Sequence, residues 1–308
     1  MNDQQTYPIG TAGTKWREPE RQEWLAQQTV KRSYQEHVLA KLLSIPTSFV
    51  TERYGALQFD PKRYPLFVVK TRDWQHDKPV ALVTGGVHGY ETSGVHGAMR
   101  FIETQATRYS DHFNFVVAPC ISPWAYETIN RWNPYCIDPN RSFVADSSAE
   151  ESAALQNYID SLGVVLTLHI DLHETTDTDN SEFRPALAAR DNVVHKVWEI
   201  PDGFYLVGDT ENPVHDFQAH IIKRVSEVTH IAPADGNSRI IGEKTTQHGV
   251  INYATKALGL CTGFSDATYS TTTEVYPDSP KVDAQNCIQA QVTAVCAGLD
   301  YVLNMMSA

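Results

Sequence analysis

The sequence predicts an α/β protein, a single domain built on a mixed, mostly parallel β-sheet with helices on both faces. Three observations carry this. Residues 79–84, 113–118 and the run from Val164 onward are short apolar stretches rich in Val and Leu, read as buried strands. Segments of helical character at residues 97–106 and 149–162 fall between them, so strand and helix alternate through the first half. Gly85 and Gly86 end the first run in a turn that enters helical pattern from Thr92, the corner at which open α/β sheets carry their sites.

In chain order, residues 1–28 read as a loosely held arm and residues 29–308 as the domain proper. The first residues are polar, without a basic start leading into an apolar core, so no signal peptide is expected, and no later run approaches membrane-spanning length. Residues 29–45 place Val30, Tyr34, Val38 and Leu42 near helical spacing and stop before Pro46, which predicts a helix. Strands at 56–59 and 65–71 and a loop at 73–78 lead to the strand at 79. Residues 124–143 lack apolar periodicity and are rich in Asn, Pro and Arg, so they read as a long loop, a length that usually serves function.

The second half is less regular. A strand is expected at 204–207, a helix at 216–228 and an apolar stretch between turns at 259–264. Residues 269–276, YSTTTEVY, are β-branched and aromatic, a strand by propensity. Residues 284–305, apolar on one side, suit a C-terminal helix. There is no internal repeat, low-complexity tract or linker.

Composition narrows the function classes. Lys and Arg number 25 against 37 Asp and Glu, a net charge of −12 with no basic block, which argues against nucleic acid and anionic membrane as partners. Cys120, Cys136, Cys261, Cys287 and Cys296 are scattered without paired spacing, as free thiols of a reducing compartment would be, and a cytoplasmic location is expected. No motif speaks to oligomeric state.

The chemistry-bearing residues sit at strand ends. His88 and Glu91 follow the glycine turn and offer one imidazole and one carboxylate, a pair that also arises by chance. The strand from Val164 ends in DLHETTD and carries His173 at its far end. Together the three make a His2Glu set, the ligands of a catalytic zinc that keeps an open fourth position. His169 shares the strand face but lies ~13 Å from His173 along it, too far to join one ion. His96, two turns beyond His88, reads as a packing or surface histidine. Asp171 either orients a ligand or is satisfied by a nearby backbone group or hydroxyl, and Glu174 is expected on the opposite side from His173. Asp177 and Asp179 read as a solvated acidic loop rather than a second cation site. Trp124, Tyr126, Trp132, Tyr135 and Phe143 divide between pocket wall and core.

Taken together and in this order, HGYE at 88–91, DPNR at 138–141 and DLHETT at 171–176 resemble the M14 zinc carboxypeptidase superfamily. The DLHETT wording is nearest its succinylglutamate desuccinylase/aspartoacylase branch, and the likeness runs from about residue 78 to 276. The resemblance implies a zinc-carboxypeptidase-like fold with one Zn2+ per chain held by His88, Glu91 and His173. It implies that Asp138 steadies His88, as a carboxylate fixes the tautomer of a ligating imidazole. Asn140 and Arg141 match the pair that binds the substrate's free carboxylate, a task suited to the planar guanidinium. Arg131 takes the place of an arginine that polarises the scissile carbonyl, with a spacing to Asn140 that departs from both branches. Glu274 matches the late glutamate that acts as general base and then general acid, with Glu243 and Glu211 in looser context. His248 and Tyr253 fall in the stretch where the family places a mobile tyrosine, and that assignment stays open.

The implied reaction is hydrolysis of an amide bond next to a free carboxylate. A carboxypeptidase acting on peptides is the first expectation and an N-acyl amino acid deacylase the alternative. DLHETT favours the deacylase; residues 281–308, read as one closing helix rather than the further domain of aspartoacylase-like enzymes, favour peptides. A catalytically inactive metal-binding module is the non-enzymatic reading.

Overall fold

A computed structural model of the chain describes residues 7–307. Residues 1–6, part of the expected arm and of the start read as lacking a signal peptide, lie outside the described residues, as does Ala308.

The segment expected as a loose arm is packed down from residue 9. Helix α1 (Glu18–Ala26) starts with Glu18 and Glu20 in its first turn, favourable against the positive helix terminus. Ile9, Trp16 and Trp24 are buried in the main core, and the Trp24 ring lies 5.6 Å from that of Trp132. These anchors are too widely spaced to leave a periodic pattern. The helix expected at 29–45 is shorter: a π turn at Gln35–Leu39 runs into α2 (Ala40–Leu42). The preceding residues are held elsewhere, with Lys31 N–H bonded to Glu127 O at 2.8 Å and the Tyr34 N–H to Glu127 Oε1 at 2.9 Å.

Strand β1 (Phe49–Ala56) pairs antiparallel with β2 (Pro65–Thr71), and residues 57–64, where a strand was expected from 56 to 59, connect them. Then come β3 (Val80–Gly85), α3 (Thr92–Thr104), α4 (Ala106–Tyr109), β4 (Asn114–Ala118) and α5 (Pro123–Thr128). Next are α6 (Glu150–Leu162), β5 (Leu166–Glu174), α7 (Arg184–Asp191), β6 (Tyr205–Asp209) and α8 (His215–Val225). The chain ends with β7 (Arg239–Ile240), β8 (Glu243–Gln247), β9 (Val250–Tyr253), β10 (Tyr269–Val275) and α9 (Ala284–Met306). The long loop expected at 124–143 is thus partly helical, with α5 at its start and a 3-10 turn at Pro139–Arg141. Pro123 suits the first turn of α5, and every residue of that helix is buried, so no polar face marks it.

The strands form one mixed sheet in the order β1-β2-β4-β3-β5-β10-β6-β9-β8-β7. Its centre, β4-β3-β5-β10, is parallel, and β10 pairs antiparallel with β6. Ala81 and Val83 of β3 join the core shared with α3 and α9, whereas Val80 and Leu82 join the opposite one with Leu155 and Ile159 of α6. Helices therefore cover both faces, which is why the central strands read as unbroken apolar runs. The chain leaves β3 through α3 to reach β4 on one side, then returns through α6 to β5 on the other. This reversal opens a crevice beyond the C-terminal ends of β3 and β5, where α/β sheets place ligands. No helix among the described residues is long and apolar enough to cross a membrane.

Candidate metal and active site

The turn after β3 depends on glycine twice. Gly86 has φ +62, and Gly89 lies so close to the backbone of Ala125 and Tyr126 in α5 that a Cβ has no room. This close approach fixes His88 and Glu91 beside the end of β5, which delivers His173. All three are buried, at 2%, 1% and 1% exposed. Their donor atoms lie within 4.8 Å of one another. Glu91 bridges the rings, with Oε1 2.7 Å from His88 Nδ1 and Oε2 2.8 Å from His173 Nδ1.

Each imidazole is backed at its other nitrogen by a carboxylate. His88 Nε2 is 3.0 Å from Asp138 Oδ1, and His173 Nε2 is 2.7 Å from Asp171 Oδ2. Asp171 is satisfied by a hydroxyl as well as by the His173 ring, since its other oxygen accepts from Thr84 Oγ1 at 2.6 Å. Thr84 in turn meets His169 Nε2 at 3.0 Å, and His169 Nδ1 meets Ser265 Oγ at 2.9 Å. Burial lowers His169 to about 4, so a neutral ring sits behind the cluster.

The charges within the cluster stabilise one another. Burial pushes the Glu91 carboxyl up, but His173 and His88 overcome it and hold it far below the usual range. Burial likewise pulls His173 down, yet Asp171 and Glu91 hold it well above its ordinary value. Two imidazole nitrogens and one carboxylate converge, with further carboxylates behind both rings. That donor set and its outer partners fit a divalent metal of the zinc type.

The cluster opens into a cavity of about 780 Å³ that Arg131, Asn140, Arg141 and Glu274 also line. Glu274 sits on β10 in register with His173 on β5. Its Oε2 accepts from Thr175 Oγ1 at 3.1 Å, and Thr175 Oγ1 lies 2.8 Å from the Tyr205 hydroxyl. Burial pushes the Glu274 carboxyl up to about 8, despite the lowering effect of nearby His173. Asn140 is oriented by its Oδ1, which accepts the Cys261 N–H at 2.8 Å. Arg141 donates through Nη1 to Asn140 O at 2.6 Å. Arg131 Nε is 3.0 Å from Asp138 Oδ2, and its Nη1 is 3.8 Å from Asp179 Oδ1.

No protein-family model and no curated protein matches the chain, but solved structures do. A Shewanella denitrificans protein provisionally assigned as a metallopeptidase superposes with TM-score 0.65 at 17% identity, covering 89% of this chain and 96% of its own. A metallo-carboxypeptidase from Burkholderia cenocepacia matches with TM-score 0.61 at 14% identity, covering 88% and 69%. Bovine thrombin-activatable fibrinolysis inhibitor, solved with tick carboxypeptidase inhibitor, matches with TM-score 0.59 at 13% identity, covering 91% and 99%. The chain has the metallo-carboxypeptidase fold.

Within that fold the other residues singled out in the sequence sort as follows. Glu243 and Tyr253 line the cavity, whereas Glu211 and His248 are not among its lining residues. Glu174 stays out of the cluster and accepts the backbone N–H groups of Thr92 and Ser93. Asp179 is buried and accepts from the Tyr90 hydroxyl at 2.9 Å, so it is no solvated loop residue. Asp177 accepts from Tyr276, and the only metal-type group among the described residues is the one at His88. His96 packs beside Tyr126, its Nε2 3.3 Å from the hydroxyl. Trp124, Tyr126, Trp132 and Phe143 are core, Tyr135 is exposed, and none of the five lines the cavity. The sequence reading missed Thr175, Tyr205 and Arg184 as cavity residues. Thr175 stood in the quoted DLHETT motif; the other two lie where no motif was legible.

Proposed function

We propose that the chain is a zinc-dependent metallohydrolase of the M14 type that cleaves an amide bond next to a free carboxylate. Its preferred substrates on this reading are peptides, from which it removes the C-terminal residue. The observation that carries the proposal is one cavity shared by the His88, Glu91 and His173 donor set, a buried carboxylate at Glu274 and the Asn140–Arg141 pair.

His88, Glu91 and His173 would hold the zinc ion, with Asp138 and Asp171 keeping the rings oriented. Zinc bound there supplies Lewis acidity to water and to the scissile carbonyl. Arg141 and the Asn140 side-chain amide hold the substrate carboxylate by charge-assisted hydrogen bonds, setting which amide reaches the centre. Glu274 takes the proton from the attacking water onto its carboxylate and returns it to the leaving nitrogen. Burial, which pushes this carboxyl up, favours the protonated form that returns the proton to the leaving nitrogen. Arg131, held by Asp138, keeps a guanidinium beside the carbonyl to be cleaved. The DLHETT wording makes N-acyl amino acids the second substrate class.

Elemental analysis combined with a panel of peptides and N-acyl amino acids tests this. About one zinc per chain with release of C-terminal residues is the expected result. Zinc with cleavage of N-acyl amino acids alone moves the protein to the deacylase class. A folded sample that binds no divalent metal overturns the proposal.

A further inference from the structure

We infer that Arg184 is a second anion-recognising group of the cavity, selecting substrates that carry a second carboxylate besides the one next to the scissile amide. The inference rests on the hydrolase reading above and names the substrate class of the same site.

Arg184 opens α7 and lines the cavity, with only 9% of the residue exposed. Its Nη1 donates to Asn180 Oδ1 at 2.6 Å and to Glu199 O at 3.1 Å, both uncharged acceptors. Its Nε and Nη2 have no hydrogen-bond acceptor among the described residues, and no carboxylate there lies within 4.0 Å of the guanidinium. The nearby carboxylates are committed elsewhere. Asp179 accepts from the Tyr90 hydroxyl at 2.9 Å and the Thr176 N–H at 2.8 Å, and it faces Arg131. Asp191 holds Arg190 at two points, 2.9 and 2.7 Å.

A buried cation without a counter-charge is costly, and proteins ordinarily pair such groups. Burial accordingly pulls the Arg184 pKa down. A purely structural role uses Nη1 alone, tying the chain before β6 to the turn before α7. The remaining N–H groups form the planar edge that meets a carboxylate at two points. Arg141 and Arg21, which also line the cavity, likewise lack a carboxylate within 4.0 Å among the described residues, so Arg184 and Arg141 are two of three guanidinium groups there without an anionic partner. A dicarboxylate satisfies both. Its second carboxylate belongs either to an acidic C-terminal residue or to a succinyl-type acyl group.

The test compares kcat/KM for peptides ending in Glu and in Gln, and for N-succinyl and N-butanoyl amino acids. Binding of glutarate and of butyrate by calorimetry gives a readout independent of hydrolysis. A charge-assisted pair in a buried site predicts about a tenfold to hundredfold preference for the acidic member of one substrate pair, and a similar preference for glutarate. The substrate pair that shows it identifies the source of the carboxylate. Arg184→Gln should bring both preferences close to one, and Arg184→Lys should restore part of them. Equal kcat/KM within both pairs and equal binding of the two acids overturn the inference while leaving the hydrolase reading intact. So does a preference that survives Arg184→Gln. Absence of hydrolysis on all four substrates, with an Arg184-dependent preference for glutarate, supports the inference and counts against the hydrolase reading.

Discussion

Glu174 Oε1 accepts the Ser93 backbone N–H at 2.6 Å, so the carboxylate beside His173 holds the first turn of the helix that begins beside Glu91. Its Oε2 accepts the Thr92 N–H at 3.2 Å. Two of the proposed ligands are thus tied together through a helix cap. The first amides of a helix have no intrahelical partner, and a carboxylate there also meets the positive end of the helix dipole. Glu174→Ala removes the acceptor from two amides at once. We expect a loss of about 2–4 kcal/mol of stability, read from the urea midpoint, together with weaker metal binding. A variant as stable as the parent would show that water replaces the cap at no cost.

Asp171 stands behind His173 and is itself held by Thr84. Asp171→Asn keeps the shape but removes the charge that favours the ligating ring. Metal affinity should fall about 10- to 100-fold, measured by competition with a chelator. In the parent, chelation should lower the melting temperature and added zinc restore it, because a ligand of the native state adds about 2.7 kcal/mol at 100 times its Kd. An unchanged affinity in Asp171→Asn would assign the aspartate a packing role only.

On the proposed mechanism, Glu274 is the residue that separates catalysis from metal binding. Glu274→Gln retains the hydrogen bond from Thr175 but cannot carry a proton. Hydrolysis should fall by about 100-fold or more with zinc content unchanged. Full activity in this variant would remove Glu274 from the mechanism, and parallel loss of zinc would make it a ligand.

What could be read from the sequence follows from how each part is buried. Strands β3 and β4 are covered on both faces and so show as continuous apolar runs, and the His88 to Glu91 spacing survives in one short motif. Strand β8, EKTTQ, is polar and largely exposed, without an apolar run to mark it. Helix α5 is six residues long and buried all round, so it has no amphipathic signature. The cavity's far wall is assembled across long separations: Thr175 meets Tyr205 and Glu274, while Arg184 comes from a helix that carried no motif. Such juxtapositions exist only once β10 has been inserted between β5 and β6, an order opposite to the chain's own.

Glu151, in the first turn of α6, predicts a pH dependence of stability unconnected with the metal. It is 1% exposed, its Oε2 accepts from Asn133 Nδ2 at 3.4 Å, and its Oε1 has no partner among the described residues. Burial pushes its carboxyl from an ordinary 4.5 up to about 7. Below 4.5 the group is protonated in both folded and unfolded chains and contributes nothing to the balance. Between 4.5 and 7 the unfolded chain releases the proton while the folded one keeps it, so stability falls as pH rises. Above 7 the loss is complete, on the order of 3 kcal/mol. Glu151→Gln cannot titrate and supplies an amide of the same shape. Urea unfolding of both proteins at pH 5 and pH 8 should show the variant gaining about 2 kcal/mol on the parent across that interval. Parallel pH profiles would mean that the carboxylate keeps its charge in the folded chain, stabilised by a partner such as a buried water at Oε1.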